Sequence, residues 1–187
     1  MSYFSRFKNI WAGGDVVGRD KIVNNVLPHP RQLDLLSECY KDEVANNKIT
    51  NEIIEELHHY STEKTDDKDL SKRLTDAGFS YLIEEAEELK QLVAMLIVKY
   101  QHYKSAQKII TYLLAEVESI FNSKIKCKLS SVEQEWQVKE IFRDYLELEI
   151  QSKLGENVLN IFNRQINGMV FFLTGNGHLE WCDNASL

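Results

Sequence analysis

The chain has only two prolines, Pro28 and Pro30, and they lie almost together. From Arg31 to the end no proline interrupts the backbone, so long helices are permitted throughout. Cysteine is scarce as well. Cys39, Cys127 and Cys182 are far apart and odd in number, with no disulfide framework and no redox or metal-ligand spacing. Buried, reduced thiols are expected. No apolar run is long enough to cross a membrane; the longest is Leu92 to Val98. The N-terminus lacks the apolar core of a secretory leader. A cytoplasmic protein with no membrane partner is the expectation. Positive charge is short too: 22 Lys and Arg against 29 Asp and Glu leave a net charge of −7. Direct binding to a nucleic-acid backbone is not expected from such a balance. What is present is ordinary for a globular chain, 43% hydrophobic and 27% charged over 187 residues. That length can bury a core without staples.

The first stretch, residues 1–12, places Tyr3, Phe4, Phe7, Ile10 and Trp11 at helical spacing. A helix this short is marginal alone and must dock on something. Residues 13–27 do not read as helix. Gly13-Gly14-Asp15-Val16-Val17 and Gly18-Arg19-Asp20-Lys21-Ile22 form two units in which Gly, Asp and an apolar residue recur. Gly breaks helix, and the β-branched residues favour extended backbone. Two such short pieces are not stable by themselves, and their edges are satisfied by pairing with another strand. Intermolecular pairing, a plain linker and an anion-binding loop all stay open. The last lacks the strand-then-helix context of a nucleotide fingerprint. Phe4, Phe7, Trp11, Gly13, Asp15, Val16, Val17, Gly18, Arg19, Asp20 and Ile22 are the candidate interaction residues.

Residues 28–187 read as a helical domain. The fold class is mainly α: a bundle of about six to seven helices by periodicity, preceded by the Gly-Asp-rich extended strip and followed by a short C-terminal extended segment. Leu33, Leu36, Cys39, Tyr40 and Val44 give the face of a first helix. Thr50 opens a second, with Ile53, Ile54, Leu57 and Tyr60. Leu70, Leu74 and Ala77 mark a third, ended by Gly78. Ser80 starts the longest pattern. Its outer first half is acidic, with Glu84, Glu85, Glu87 and Glu88, as either a solvated face or a docking face for a basic partner. Its second half, Leu92 to Val98, is apolar nearly all round, as in an enclosed helix. Ser105 is the expected cap of the next helix, which pairs antiparallel with it through a short turn. Ser130 or Ser131 caps another, carrying Val132, Trp136, Ile141, Phe142, Tyr145, Leu146 and Ile150 and ended by Gly155. A last apolar helix runs to Thr174, with Gly175 as its left-handed cap. His178 to Trp181 then packs back in extended form.

Chemistry is hard to find. His58-His59 are neighbours, which point about 100° apart on a helix and seldom share a metal. No nucleophile pattern is visible. His178 and Cys182 form the one His/Cys pairing that could serve a small enzyme, although backbone carbonyls are the expected partners of His178. Lys124, Lys126 and Lys128 could serve a nucleic-acid sensor, but their spacing spreads them around a helix. No catalytic residue, cofactor or metal ligand is assigned.

The strip Gly14 to Ile22, the segment Ala106-Gln107-Lys108-Ile109-Ile110-Thr111-Tyr112-Leu113-Leu114, and the run Ile166-Asn167-Gly168-Met169-Val170-Phe171-Phe172-Leu173-Thr174-Gly175-Asn176-Gly177-His178-Leu179-Glu180-Trp181 are similar to the C-terminal domain of effector proteins from bacterial ABC three-component systems. Lamassu-type anti-phage defence belongs to that group. The resemblance covers residues 13–181, with Gly168, Thr174, Gly175, Asn176, His178 and Trp181 as its structural motif. Such domains usually follow a toxic domain, whereas only residues 1–12 stand there in this chain. The resemblance therefore implies a non-catalytic assembly or regulatory subunit. Its expected partners are further copies of itself and an SMC-like ATPase or effector subunit.

Overall fold

The computed structural model describes residues 32–64 and 68–182. The stretches 1–12 and 13–27, with every candidate interaction residue from Phe4 to Ile22, lie outside the described residues. Within them the protein is helical: α1 (Gln32–Ala45), α2 (Glu55–Ser61), α3 (Leu70–Asp76), α4 (Ile83–Tyr100), α5 (Lys104–Ile120), α6 (Lys126–Leu129), α7 (Glu135–Phe142), α8 (Leu148–Lys153) and α9 (Asn163–Gly175). A 3-10 turn, Ser80–Leu82, leads into α4. The π turns Phe121–Ile125 and Arg143–Glu147 join α5 to α6 and α7 to α8 without a break. The nine segments thus act as seven helices, a mainly α bundle with no strand among the described residues. Residues 178–182 are irregular rather than strand, yet they pack back on the bundle through Leu179 and Trp181.

The π turns have a cause in the sequence. Val117, Phe121, Ile125 and Leu129 are all buried and four residues apart; so are Val138, Phe142, Leu146 and Ile150. At 3.6 residues per turn, each four-residue step overshoots by about 40°, and such a series would wind out of the core. One wider turn in each series cancels that drift. The two π turns also pack against one another.

The enclosed helix is α9, not α4. Residues 168–176 are buried without exception, and α9 packs along α4 while also touching α3, α5 and the second π turn. The end of α4 expected to be enclosed instead leaves Met95 54% and Val98 60% exposed. Gly168 permits the α4–α9 approach, since a Cβ there would lie 2.6 Å from the Leu89 carbonyl oxygen. The first two helices, α1 and α2, lie on α5.

Several caps differ from expectation, each because a tertiary group replaced a local one. Ser105 does not cap α5. Its backbone N–H and Oγ donate to the Glu43 carboxylate of α1, at 3.0 and 2.7 Å, so a helix far along the chain supplies the anion that this N-terminus favours. Thr50 Oγ1 accepts from the Glu52 N–H, and α2 begins only at Glu55. Before α7, Gln137 Oε1 accepts from the N–H groups of Glu133 and Gln134, where Ser130 or Ser131 was expected. The left-handed residue after α9 is Gly177 (φ +81°), not Gly175, which is still helical. Gly78 (φ +87°) ends α3 as expected, and Asp69 Oδ1 caps its start from Lys72 N–H.

All three cysteines are exposed, against the expectation of burial. On α1 the inward positions are Leu33, Leu36, Ser37 and Tyr40, leaving Cys39 and Val44 outside. Ser37 can occupy the interior because its hydroxyl donates to the Leu33 carbonyl at 2.7 Å. Ile53, Trp136 and Tyr145 also face out, at 41%, 61% and 37% exposure.

Candidate functional site

The residues of the C-terminal motif come together at the end of α9. His178 N–H donates to the Leu173 carbonyl and Gly177 N–H to the Thr174 carbonyl, at 2.8 and 3.0 Å. This pairing is the Schellman arrangement, and it explains the Asn-Gly-His order: only a residue at ease with positive φ fits between the two bonds. Thr174 Oγ1 donates to the Val170 carbonyl and accepts from Trp181 Nε1, at 2.7 and 2.8 Å. The hydroxyl therefore ties the returning tail to the helix it left. Trp181 is 4% exposed and sits among Phe79, Phe121, Phe142 and Phe171, with centroids 5.0–6.1 Å away. Four elements meet on that one indole.

Asn176 and His178 reach the other way, towards the segment before α3. Asn176 Nδ2 donates to the Tyr60 carbonyl at 2.8 Å, and its backbone carbonyl accepts from Lys64 N–H at 3.1 Å. The His178 ring packs against α2. Backbone carbonyls at the helix end were the expected partners of His178; its Nε2 is instead buried without a hydrogen-bond partner. Burial first, then the positive charges of Lys64 and His59, hold the imidazole below its ordinary value. The rings of His59 and Tyr60 lie 5.0 and 5.2 Å from it. Tyr60 donates to Glu118 Oε2 at 2.9 Å, and burial with that bond pushes the phenol up to about 12.

The His/Cys pairing is not assembled. His178 lines an open hollow with Glu55, His58, His59, Thr62, Glu63 and Lys64, while Cys182 lines a different one with Lys68, Arg73 and Asp76. Among the described residues, no group of three His, Cys, Asp or Glu is arranged to hold a metal ion. Lys124 pairs with Glu149, and Lys128 Nζ lies 4.5 Å over the Tyr145 ring, so these lysines face partners inside the chain. On the acidic face of α4, Lys139 bridges Glu85 and Glu135, and Arg164 holds Glu88 at 2.6 Å. Those cations come from α7 and α9, which the sequence pattern did not place beside α4.

One residue of the middle motif has a role that periodicity misses. Gln107 is fully buried. Its Nε2 donates to the carbonyls of Glu52 and Gln101, at 2.8 and 2.5 Å, and its Oε1 accepts from Ile54 N–H at 2.7 Å. A polar side chain on the inner face of so apolar a helix is the signal that marks it, because a buried amide must find partners.

No helix among the described residues is long and apolar enough to cross a membrane. No curated protein and no solved structure matches the chain. A family model does: C-terminal domain 9 of the ABC-three component (ABC-3C) systems matches residues 69–181. That span starts at the Asp69 cap of α3 and stops at Trp181, the indole that closes the core. With more than half of its length covered, from α3 to the tail that returns to α9, this chain belongs to the C-terminal domain 9 family of ABC-three component systems.

Proposed function

We propose that this protein is a non-catalytic assembly or regulatory subunit of a bacterial anti-phage defence complex. It associates with further copies of itself and with an SMC-like ATPase or effector subunit. The observation that carries this reading is the apolar strip on α4. Met95 and Val98 stand one turn apart, 54% and 60% exposed, on a helix whose opposite face is packed on α9. Residues at that spacing are neighbours on the helix surface, so the two side chains form one apolar surface that association would bury. The motif residues support it from the other side: Thr174, Asn176 and Trp181 direct their polar groups to the protein's own chain. Their work is to hold a shape.

The test uses the full chain, co-expressed with an SMC-like ATPase of an ABC-three component system. Tagged wild-type protein is expected to retain the ATPase through affinity purification, and the M95E/V98E double variant to lose it while keeping its far-UV circular dichroism. Equal recovery with both proteins would overturn the α4 surface. Light scattering of the full chain and of a variant lacking residues 1–27 tests self-association; an unchanged mass would overturn the role of that strip.

A further inference from the structure

The segment that leads into the family domain is held at residues 59–64, and its main chain takes part in the hold. The Tyr60 carbonyl accepts from Asn176 Nδ2, Lys64 N–H donates to the Asn176 carbonyl, and the His178 ring packs against those of His59 and Tyr60. Both gripping residues come from the turn after α9. We propose that this turn is an acid-releasable latch: Asn176 and His178 clasp residues 59–64 and let them go when His178 takes up a proton. The proposal stands apart from the assembly reading, since it needs no partner.

The geometry explains why the proton matters. Neutral histidine has one N–H and one bare nitrogen. Here Nε2 is buried without a hydrogen-bond partner, which suits the bare nitrogen. Protonation would place a second, charged N–H at Nε2, where no acceptor waits, at the full desolvation penalty of an unpaired donor. His178 is only 9% exposed and Nε2 itself is buried, so the closed latch offers that N–H no partner. The groups around it mostly repel the new charge. Lys64 and His59 from the latched segment do so, while Glu118 of α5 and the His59 backbone favour the charged ring. Glu55, His58 and Glu63 line the outer hollow, and Arg73 of α3 stands beside Gly177. Glu118 is already engaged by the Tyr60 hydroxyl.

The sign follows from linkage. The clasped imidazole binds a proton less readily than a free one, whose ordinary value is 6.5. The latch is therefore complete above that value and weakens as pH falls below it, until the clasped group itself titrates. A single proton sets the limit at about tenfold in the closed-to-open ratio per pH unit.

Hydrogen–deuterium exchange of the full chain between pH 7.5 and 5.0, corrected for intrinsic rates, tests this directly. Protection of the Lys64 amide is expected to fall by up to about tenfold per pH unit below the ordinary histidine value, while amides of α5 keep theirs. H178Q is expected to abolish that pH dependence, and N176A to lower protection at every pH. A Lys64 amide equally protected at both ends of the range would overturn the proposal, as would the same pH dependence in H178Q. Should H178Q prove unfolded, an NMR titration of the His178 ring in the wild-type chain decides. A ring that titrates at or above 6.5 refutes the latch, and one that titrates lower, in step with loss of Lys64 protection, supports it.

Discussion

Replacing Gly168 by alanine sets two known effects against each other. Gly168 lies in the middle of α9, where alanine is intrinsically better by roughly 1 kcal/mol. Propensity alone predicts a more stable protein. The packing predicts the opposite. The added methyl would sit 2.6 Å from the Leu89 carbonyl oxygen and 2.9 Å from Val93 Cγ2. A backbone oxygen inside α4 cannot swing aside, so the two helices must part along the most extensive contact in the bundle. Overpacking of this kind costs about 1–3 kcal/mol, occasionally more. We expect a net loss of up to about 2 kcal/mol, which for a chain of this size lowers Tm by up to roughly 8 °C. Gly175→Ala is the matched control. It is in the same helix, but its methyl would meet only the far end of the Lys90 side chain, Nζ at 2.7 Å, which can move. G175A should match or exceed the wild type. Thermal unfolding followed at 222 nm, with urea titration as a second measure, reads both. A G168A protein as stable as G175A would refute the close-approach argument.

Thr174→Val keeps the shape of the side chain but strands the buried Trp181 Nε1–H; about 1–3 kcal/mol should be lost, seen also as altered tryptophan emission. Gly177→Ala forces a Cβ into the left-handed region, 3.0 Å from Lys64 Cβ, and should cost about 1–2 kcal/mol in chemical denaturation. Glu43→Ala removes the acceptor at the start of α5; a loss of about 0.5–2 kcal/mol is expected, with faster amide exchange confined first to Ser105 and its neighbours. Met95→Glu with Val98→Glu should leave stability within about 0.5 kcal/mol, since both sites are exposed.

The fold class was readable because local information suffices for it. Apolar residues at three- and four-residue steps, and Gly78 and Gly155 at helix ends, mark the helices whatever surrounds them. Even the π turns have a local trace, in the two runs of buried residues spaced strictly by four. The motif Gly168 to Trp181 was legible as a pattern, though not as a mechanism. Nothing along the chain says that Thr174 meets the Trp181 indole or that Asn176 reaches back to Tyr60, because those contacts close loops whose ends the sequence does not bring together.

Burial was the hardest property to read. Cys39 and Val44 share an apolar helical pattern with Leu33, yet they face water, while Ser37 faces the core. An amphipathic pattern gives a face some 100° wide, and only the neighbour selects which side chains within it are covered. The caps failed for a related reason. A serine before a helix is a good local cap, but Glu43 offers α5 a charge, and a carboxylate at a helix N-terminus outcompetes a neutral hydroxyl. The sequence by itself determined where helices lie, where they stop and which family the chain joins, since each depends on residues close together in the chain. Only the tertiary structure decided that α9 is the enclosed helix, that α4 keeps an open apolar strip, and that the turn after α9 clasps residues 59–64. Those outcomes depend on which surfaces meet, and packing settles that between residues far apart in sequence.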